Sequence, residues 1–208
     1  MSASTVRKMA ILEPASVFVM IMTYIWGLRS THHGLWMGIL CLMLLSHLVH
    51  RERAEGLGFG ARNLRVCLRE YAPLLGFFAL LMLGCGILLQ TTRPIGFEQG
   101  FLSFAWYLPW GLVQQYILNG YFMNRLDGVL SARAAPLAAA ALFSGAHLPN
   151  WFLMSVTLLA GYCAARVYRR YKNLYFLGVA HATVGFLLFL VVPDSVTHHL
   201  AVGPGWFR

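Results

Sequence analysis

The chain alternates long apolar runs with short polar connections in which arginine is frequent. We predict helices near residues 10–28, 34–50, 73–90, 101–123, 135–148, 150–166 and 173–192. An apolar helix of about 17–25 residues is long enough to cross a hydrocarbon layer of about 30 Å. The pattern therefore predicts an all-α, polytopic integral membrane bundle with about seven transmembrane helices.

Composition and charge support this interpretation. The 208 residues are 59% hydrophobic and 11% charged, with a mean hydropathy of +0.64, which is outside the usual range of soluble domains. The net charge of +9 could indicate nucleic-acid binding. However, with the N-terminus in the cytoplasm, every one of the 16 Lys and Arg residues except Arg29, Arg93 and Arg208 lies on the cytoplasmic side. This follows the positive-inside rule, so we expect a bacterial inner-membrane protein and no nucleic-acid partner.

The chain divides into three parts by the position of its polar residues. Residues 1–100 are expected to hold N-terminal transmembrane helices with a cytoplasmic amphipathic segment, placed within 51–72. Residues 101–192 form the expected core and 193–208 a C-terminal tail. The first apolar run is expected to be a retained helix rather than a signal peptide. The four cysteines are scattered and are read as small apolar residues.

Small residues recur at four-residue spacing in the last three predicted helices. Such pairs let backbones approach closely where lipid offers no hydrophobic drive for helix association, so these helices should pack tightly. The pairs are Ala141 with Gly145, Gly161 with Ala165, and Gly178 with Ala182. Two of them flank the polar residues described next.

Polar side chains interrupt three of the apolar runs. They are the adjacent Gln114 and Gln115, then His147, then His181. A polar group in hydrocarbon costs several kcal/mol unless it has a partner, and counting along the predicted helices gives these residues similar depths. Taken singly, each is open to a structural reading as an interhelical hydrogen bond or a packed histidine. Together they predict one shared interior site.

The polar motifs resemble those of a known family. The segments QQYILNGYF at 114–122, ALFSGAHL at 141–148 and LGVAHA at 177–182 resemble the CPBP family of CAAX-processing and bacteriocin-processing (Abi) intramembrane proteases, over about residues 101–190. That family has Glu-Glu-x-x-x-Arg, Phe-x-x-x-His and His-x-x-x-Asn on successive helices. The resemblance implies a CPBP/Rce1-like fold, with a catalytic set of Gln114, Gln115, His147 and His181.

This chain departs from the family pattern at four positions. Gln114 and Gln115 replace the two glutamates, Asn119 replaces the arginine, and Gly185 replaces the final asparagine. A glutamine can position water but cannot take its proton, so the base would be His147 or His181. Among the acidic residues only Glu13 falls within a predicted span, where a capping or interfacial role is expected.

These observations lead to an expected function and its alternatives. The first is an intramembrane endopeptidase that cleaves a membrane-associated or lipidated peptide. The alternative is a catalytically inactive family member that binds such a peptide without cutting it. A channel or carrier is a weaker third reading, because the sequence shows no inverted repeat. We expect no cofactor, since a zinc site would need a third protein ligand that is not evident.

Overall fold

The computed structural model describes residues 3–207, and every regular element in them is helical. The helices are α1 (Ala3–Thr23), α2 (Leu35–Val49), α3 (Leu64–Leu88), α4 (Phe97–Gln115), α5 (Asn124–Asp127), α6 (Ala134–Gly145), α7 (Trp151–Tyr171), α8 (Leu174–Val191) and α9 (Asp194–Thr197). A π-helical turn, Tyr24–Leu28, extends α1, and a longer π-helical segment, Tyr116–Met123, joins α4 to α5. Two short 3-10 segments, His198–Leu200 and Gly203–Phe207, end the chain.

The helices form a membrane bundle, as the sequence predicts. Four segments in the described residues are long and apolar enough to span a membrane: Ala10–Leu28, Leu64–Leu88, Trp151–Tyr171 and Leu174–Val191. Two shorter apolar helices, α2 and α6, accompany them. The protein is therefore an all-helical integral membrane protein, while the number of seven spans stays a prediction.

Several predicted boundaries differ from the structure, and two of these differences affect its interpretation. The amphipathic segment expected within 51–72 is not separate, because α3 begins at Leu64 and continues through Pro73 into the apolar run. Proline removes only one backbone donor, and neighbouring helices in a bundle can compensate for it. The predicted fifth helix ends earlier than expected, at Gly145. His147 therefore lies in the turn that precedes α7, since Pro149 disfavours a helical conformation just before it.

The closest helix packing joins α4 to α8. A Cβ atom added at Gly111 would lie 2.6 Å from the carbonyl oxygen of Gly178, and one added at Gly178 would lie 3.1 Å from the Cα of Leu112. The two backbones thus touch directly, and Ala182 is fully buried one turn further along α8. Tight packing predicted from the Gly178–Ala182 pair is found here. The Ala141–Gly145 pair differs, because the side chain of Ala141 is exposed.

The arginine-rich connections meet at one end of the bundle, which we call the basic end. The Leu174 amide donates to the Gly58 carbonyl at 2.9 Å, and Asn173 Nδ2 donates to the Gly60 carbonyl at 3.0 Å. Arg169 forms an ion pair of 2.7 Å with Asp127. These contacts bring the connections after α2, α5 and α7 together.

The C-terminal tail covers the turn between α6 and α7 at the opposite end. Asn150 is fully buried and caps α7 by accepting from the Leu153 amide at 3.0 Å. Its Nδ2 donates to the carbonyls of Thr197 and Ala201, at 2.9 and 3.0 Å. The Gly203 amide also donates to the Leu148 carbonyl at 2.8 Å. One asparagine thus fixes both the start of α7 and the tail beside it.

Candidate active site

Gln115 is the centre of a hydrogen-bonded chain between α4 and α8. It lies in the last turn of α4 and is 4% exposed. Its Oε1 accepts from Asn119 Nδ2 at 2.6 Å, and its Nε2 lies 3.1 Å from His181 Nδ1. Gln115 and Asn119 share one face, as their spacing predicts. The amide therefore connects the π-helical segment to the histidine of α8.

The close contact of α4 with α8 positions this pair. His181 follows Gly178 by three residues, and Gln115 follows Gly111 by four, so both side chains lie about one turn from the backbone contact. Because neither glycine has a Cβ, the helices approach closely enough for a direct amide–imidazole hydrogen bond. Small residues and polar residues therefore share one seam between α4 and α8, with Gly178 and Ala182 on the α8 side as predicted.

His147 reaches the site from the turn after α6. Its Nδ1 lies 2.9 Å from the carbonyl oxygen of Phe143, which is in the last turns of that helix. The buried Phe143 ring has its centroid 5.1 Å from that of His147 and 6.1 Å from that of His181. Both contacts are edge-to-face, a favourable geometry for aromatic rings. Phe143 thus packs against both imidazoles.

The hydrogen bonds give the two neutral imidazoles different tautomers. The Phe143 carbonyl can only accept, so Nδ1 of His147 carries the proton and its Nε2 keeps a free lone pair. With the Gln115 amide oriented so that Oε1 accepts from Asn119 Nδ2, its Nε2 donates to Nδ1 of His181, whose proton then lies on Nε2. One ring can therefore accept a proton at Nε2 while the other donates a hydrogen bond from Nε2.

Gln114 is placed differently from its neighbour. It is half-buried, and its side chain makes no hydrogen bond within residues 3–207. Adjacent positions on a helix are rotated by about 100°, so only one of the two glutamines can face α8. The structure hydrogen-bonds Gln115 to His181, and the Phe143 ring contacts both His181 and His147, but Gln114 is not hydrogen-bonded to either histidine.

No carboxylate of the described residues is hydrogen-bonded to either imidazole of the site. Glu13, the one acidic residue predicted within a span, instead forms an ion pair of 3.0 Å with Arg125 Nε. The same part of the chain contains no group of three His, Cys, Asp or Glu side chains that could hold a metal ion. The side chains that the hydrogen bonds join at this site are amides and imidazoles.

A second polar group, which we call the charged cluster, surrounds the buried Arg125 and was not predicted. Arg125 Nη1 donates to both Glu52 carboxylate oxygens at 2.8 Å, and its Nη2 donates to Ser46 Oγ at 2.8 Å. Ser46 donates to Glu13, and His47 Nδ1 hydrogen-bonds Glu52. The cluster ties α1, α2 and α5 together. The only sequence signal for it was a glutamate inside the first apolar run.

Comparison with known proteins adds one match. The family model for the type II CAAX prenyl endopeptidase, Rce1-like, matches residues 96–187. The match covers a little under half of the chain, and it supports membership of the CPBP family. The matched region begins at α4, ends within α8, and contains Gln115, His147 and His181. No curated protein and no solved structure gives a significant match.

Proposed function

We propose that this Rce1-like protein is an intramembrane endopeptidase in which an imidazole, rather than a carboxylate, activates water. The family match supports a CAAX-type protease, and the described residues of the site add two histidines held in opposite tautomers inside an apolar bundle. The substrate class would be a membrane-associated or lipidated peptide, in keeping with the family description. The pairing of Gln115 with His181 is the observation that carries the proposal.

The two tautomers suggest separate roles in hydrolysis. His147 Nε2 takes a proton from water while the water oxygen attacks the scissile carbonyl carbon. His181 Nε2–H donates to the carbonyl oxygen as it gains negative charge. When the C–N bond breaks, the proton on His147 passes to the leaving amine. Gln115 does not titrate in this scheme, and its amide keeps the proton of His181 on Nε2.

Replacement of the family glutamates has a consequence for rate. A positioned general base contributes about 10²–10⁴-fold, and an imidazole can supply that contribution near neutral pH. The amides of Gln114 and Gln115 can orient water or a peptide backbone but take no proton. We therefore expect turnover to depend on His147.

The amides also favour a second candidate function. A site with two glutamines and no hydrogen-bonded carboxylate among the described residues suits peptide binding without cleavage. The same side chains would then hold a membrane peptide through hydrogen bonds to its backbone. This candidate predicts binding that does not depend on the basicity of His147.

A lipidated peptide in liposomes can test both functions. Purified wild-type protein should cleave it, His147→Ala should abolish cleavage, and His33→Ala, an exposed histidine outside the site, should leave it unchanged. Cleavage that survives His147→Ala would refute the assigned base. Wild-type protein that binds the peptide with no cleavage, in a manner insensitive to His147→Ala, would support the second candidate.

We also propose that the basic end faces the cytoplasm of a bacterial cell. The connections at this end carry most of the arginines, which the positive-inside rule places in the cytoplasm. Single reporter fusions test this orientation. A phosphatase that is active only outside the cytoplasm should work when fused after the C-terminal tail and should be inactive when inserted in the connection after α2.

A further inference from the structure

The charged cluster carries an uneven charge and reaches the surface at one end. Two glutamates face one guanidinium, so the described cluster has a net charge of −1 while His47 is neutral. The side chains of Glu13 and Glu52 are 27% and 28% exposed, whereas Arg125 and His47 are buried. The carboxylates therefore form the exposed side of the cluster, at the basic end. The buried His47 forms its inner side.

Buried polar atoms continue inward from His47. His47 Nε2, the Tyr116 hydroxyl and Asn119 Oδ1 have no hydrogen-bond partner within residues 3–207. Their residues are 3%, 6% and 0% exposed. The His47 and Tyr116 rings meet edge to face with centroids 5.7 Å apart. Asn119 lies in the same π-helical segment as Tyr116 and is bonded to Gln115.

The π-helical segment explains why Tyr116 can reach toward the cluster. A Cβ atom at Gly120 would lie 2.7 Å from Tyr116 Cδ2, so the glycine leaves room for the ring to lie against the helix. Insertions of this helix type recur at functional sites in other proteins. In this chain the π-helical segment, Tyr116–Met123, lies between the charged cluster and Gln115.

Buried polar groups in proteins nearly always have a partner, which is either protein or ordered water. A polar cavity wall with several such groups is the setting in which buried water is retained. The three atoms without a partner lie between the charged cluster and the Gln115–His181 pair. One kind of ligand would satisfy all three. Water can join such atoms, because they include a donor and acceptors.

We propose that His47, Tyr116 and Asn119 line a narrow hydrated path from the basic end to the Gln115–His181 pair. The path begins at Glu52, passes the two aromatic rings and ends at the amide of Asn119. It binds water where the surrounding bundle is apolar. As a supply route for a hydrolytic reaction it rests on the proposed function, since peptide hydrolysis consumes one water per bond.

Radiolytic hydroxyl-radical footprinting tests the path on full-length protein in lipid nanodiscs. Radicals formed from bound water modify adjacent side chains, and heavy-oxygen water marks the product. Tyr116 should be modified about ten times faster than Tyr168 or Phe122, which are buried to the same degree or more. Tyr168 already has a partner, because its hydroxyl accepts from Asn124 Nδ2 at 2.8 Å, and Phe122 has no polar atom.

Equal protection of Tyr116, Tyr168 and Phe122 would overturn the proposal. In Asn119→Leu, modification of Tyr116 should fall toward the control rate, and an unchanged rate would show that the path does not reach Asn119. Both measurements are made without substrate. Hydration of the path is therefore measured separately from hydrolysis. A path without water in an active protein and a hydrated path in an inactive protein are distinguishable outcomes.

Discussion

The Nε2 amide of Gln115 donates to Nδ1 of His181 across 3.1 Å, between two helices whose backbones touch at Gly111 and Gly178. This hydrogen bond decides which nitrogen of His181 carries the proton. A glutamate at the same place would accept from Nδ1 rather than donate to it, so an amide and a carboxylate at position 115 favour opposite tautomers of His181. The identity of residue 115 therefore also sets the proton position on the histidine.

The first prediction concerns these tautomers. Nitrogen NMR of histidine-labelled protein at neutral pH should show His147 protonated at Nδ1 and His181 protonated at Nε2. His147→Asn and His181→Asn assign the two signals. Gln115→Glu should move the His181 proton to Nδ1 and leave His147 unchanged. Two histidines with the same tautomer in the wild-type protein would contradict the hydrogen-bond assignment.

The second prediction concerns the contact between α4 and α8. Gly111→Ala places a methyl group 2.6 Å from a backbone oxygen, which cannot move as a side chain could, so the helices must separate. Overpacking of this kind costs about 1–3 kcal/mol of unfolding free energy. Unfolding of the purified protein in detergent should show the loss. Gly84→Ala is the matched control, because its Cβ would meet nothing within 4 Å. Similar destabilisation in both variants would count against a specific contact.

Much of the bundle follows from apolar periodicity alone. The runs that predict helices lie within or close to the observed helices, since about 20 consecutive apolar residues leave few alternatives in a membrane. Boundaries were harder to predict. The end of α6 before His147 depends on Pro149 and on a turn held by the tail, and these contacts come from residues more than 40 positions away.

The candidate site was predicted only in part. Polar residues within apolar runs indicated Gln115, His147 and His181, yet the sequence alone could not say which adjacent glutamine faces α8. The close contact of α4 with α8 at Gly111 determines that Gln115 faces α8, and this contact was not predicted. The charged cluster was missed because its members come from α1, α2 and α5. Each of them looks like an ordinary interfacial charge when the chain is read in order.

The third prediction separates two roles of Asn150. Asn150→Asp keeps an acceptor for the Leu153 amide but cannot donate to the carbonyls of Thr197 and Ala201, whereas Asn150→Ala loses both functions. Limited proteolysis should therefore cut the tail faster in both variants. Asn150→Ala should lose the helix cap, about 1 kcal/mol, whereas Asn150→Asp keeps the cap but should lose stability because its carboxylate is fully buried against two carbonyl oxygens. A tail that stays protected in Asn150→Asp would show that other contacts hold it.

The fourth prediction concerns Arg125. Arg125→Met leaves Glu13 and Glu52 close together without their shared cation, and removing one partner of a buried ion pair typically costs about 3–5 kcal/mol. We expect a smaller loss, about 2–3 kcal/mol, because both carboxylates are partly exposed. The double variant Arg125→Met with Glu52→Gln should recover part of it in chemical unfolding. If the double variant is less stable than Arg125→Met, repulsion between the carboxylates is not the cause.

The last prediction follows from the ion pair at the opposite end of the bundle. Hydrogen bonds from the Arg93 guanidinium hold the pKa of Asp194 below its ordinary value of 3.8. A carboxyl whose pKa is lower in the folded state adds stability above its unfolded pKa, and this stability is lost as the pH falls through the folded pKa. The melting temperature of the wild-type protein should therefore drop in acid. Arg93→Gln should melt lower at neutral pH and drop less, so that the two curves converge at low pH. Asp194→Asn, which cannot titrate, should remove the same part of the acid dependence. Parallel curves for the wild type and Arg93→Gln would show that the pair does not couple protonation to folding.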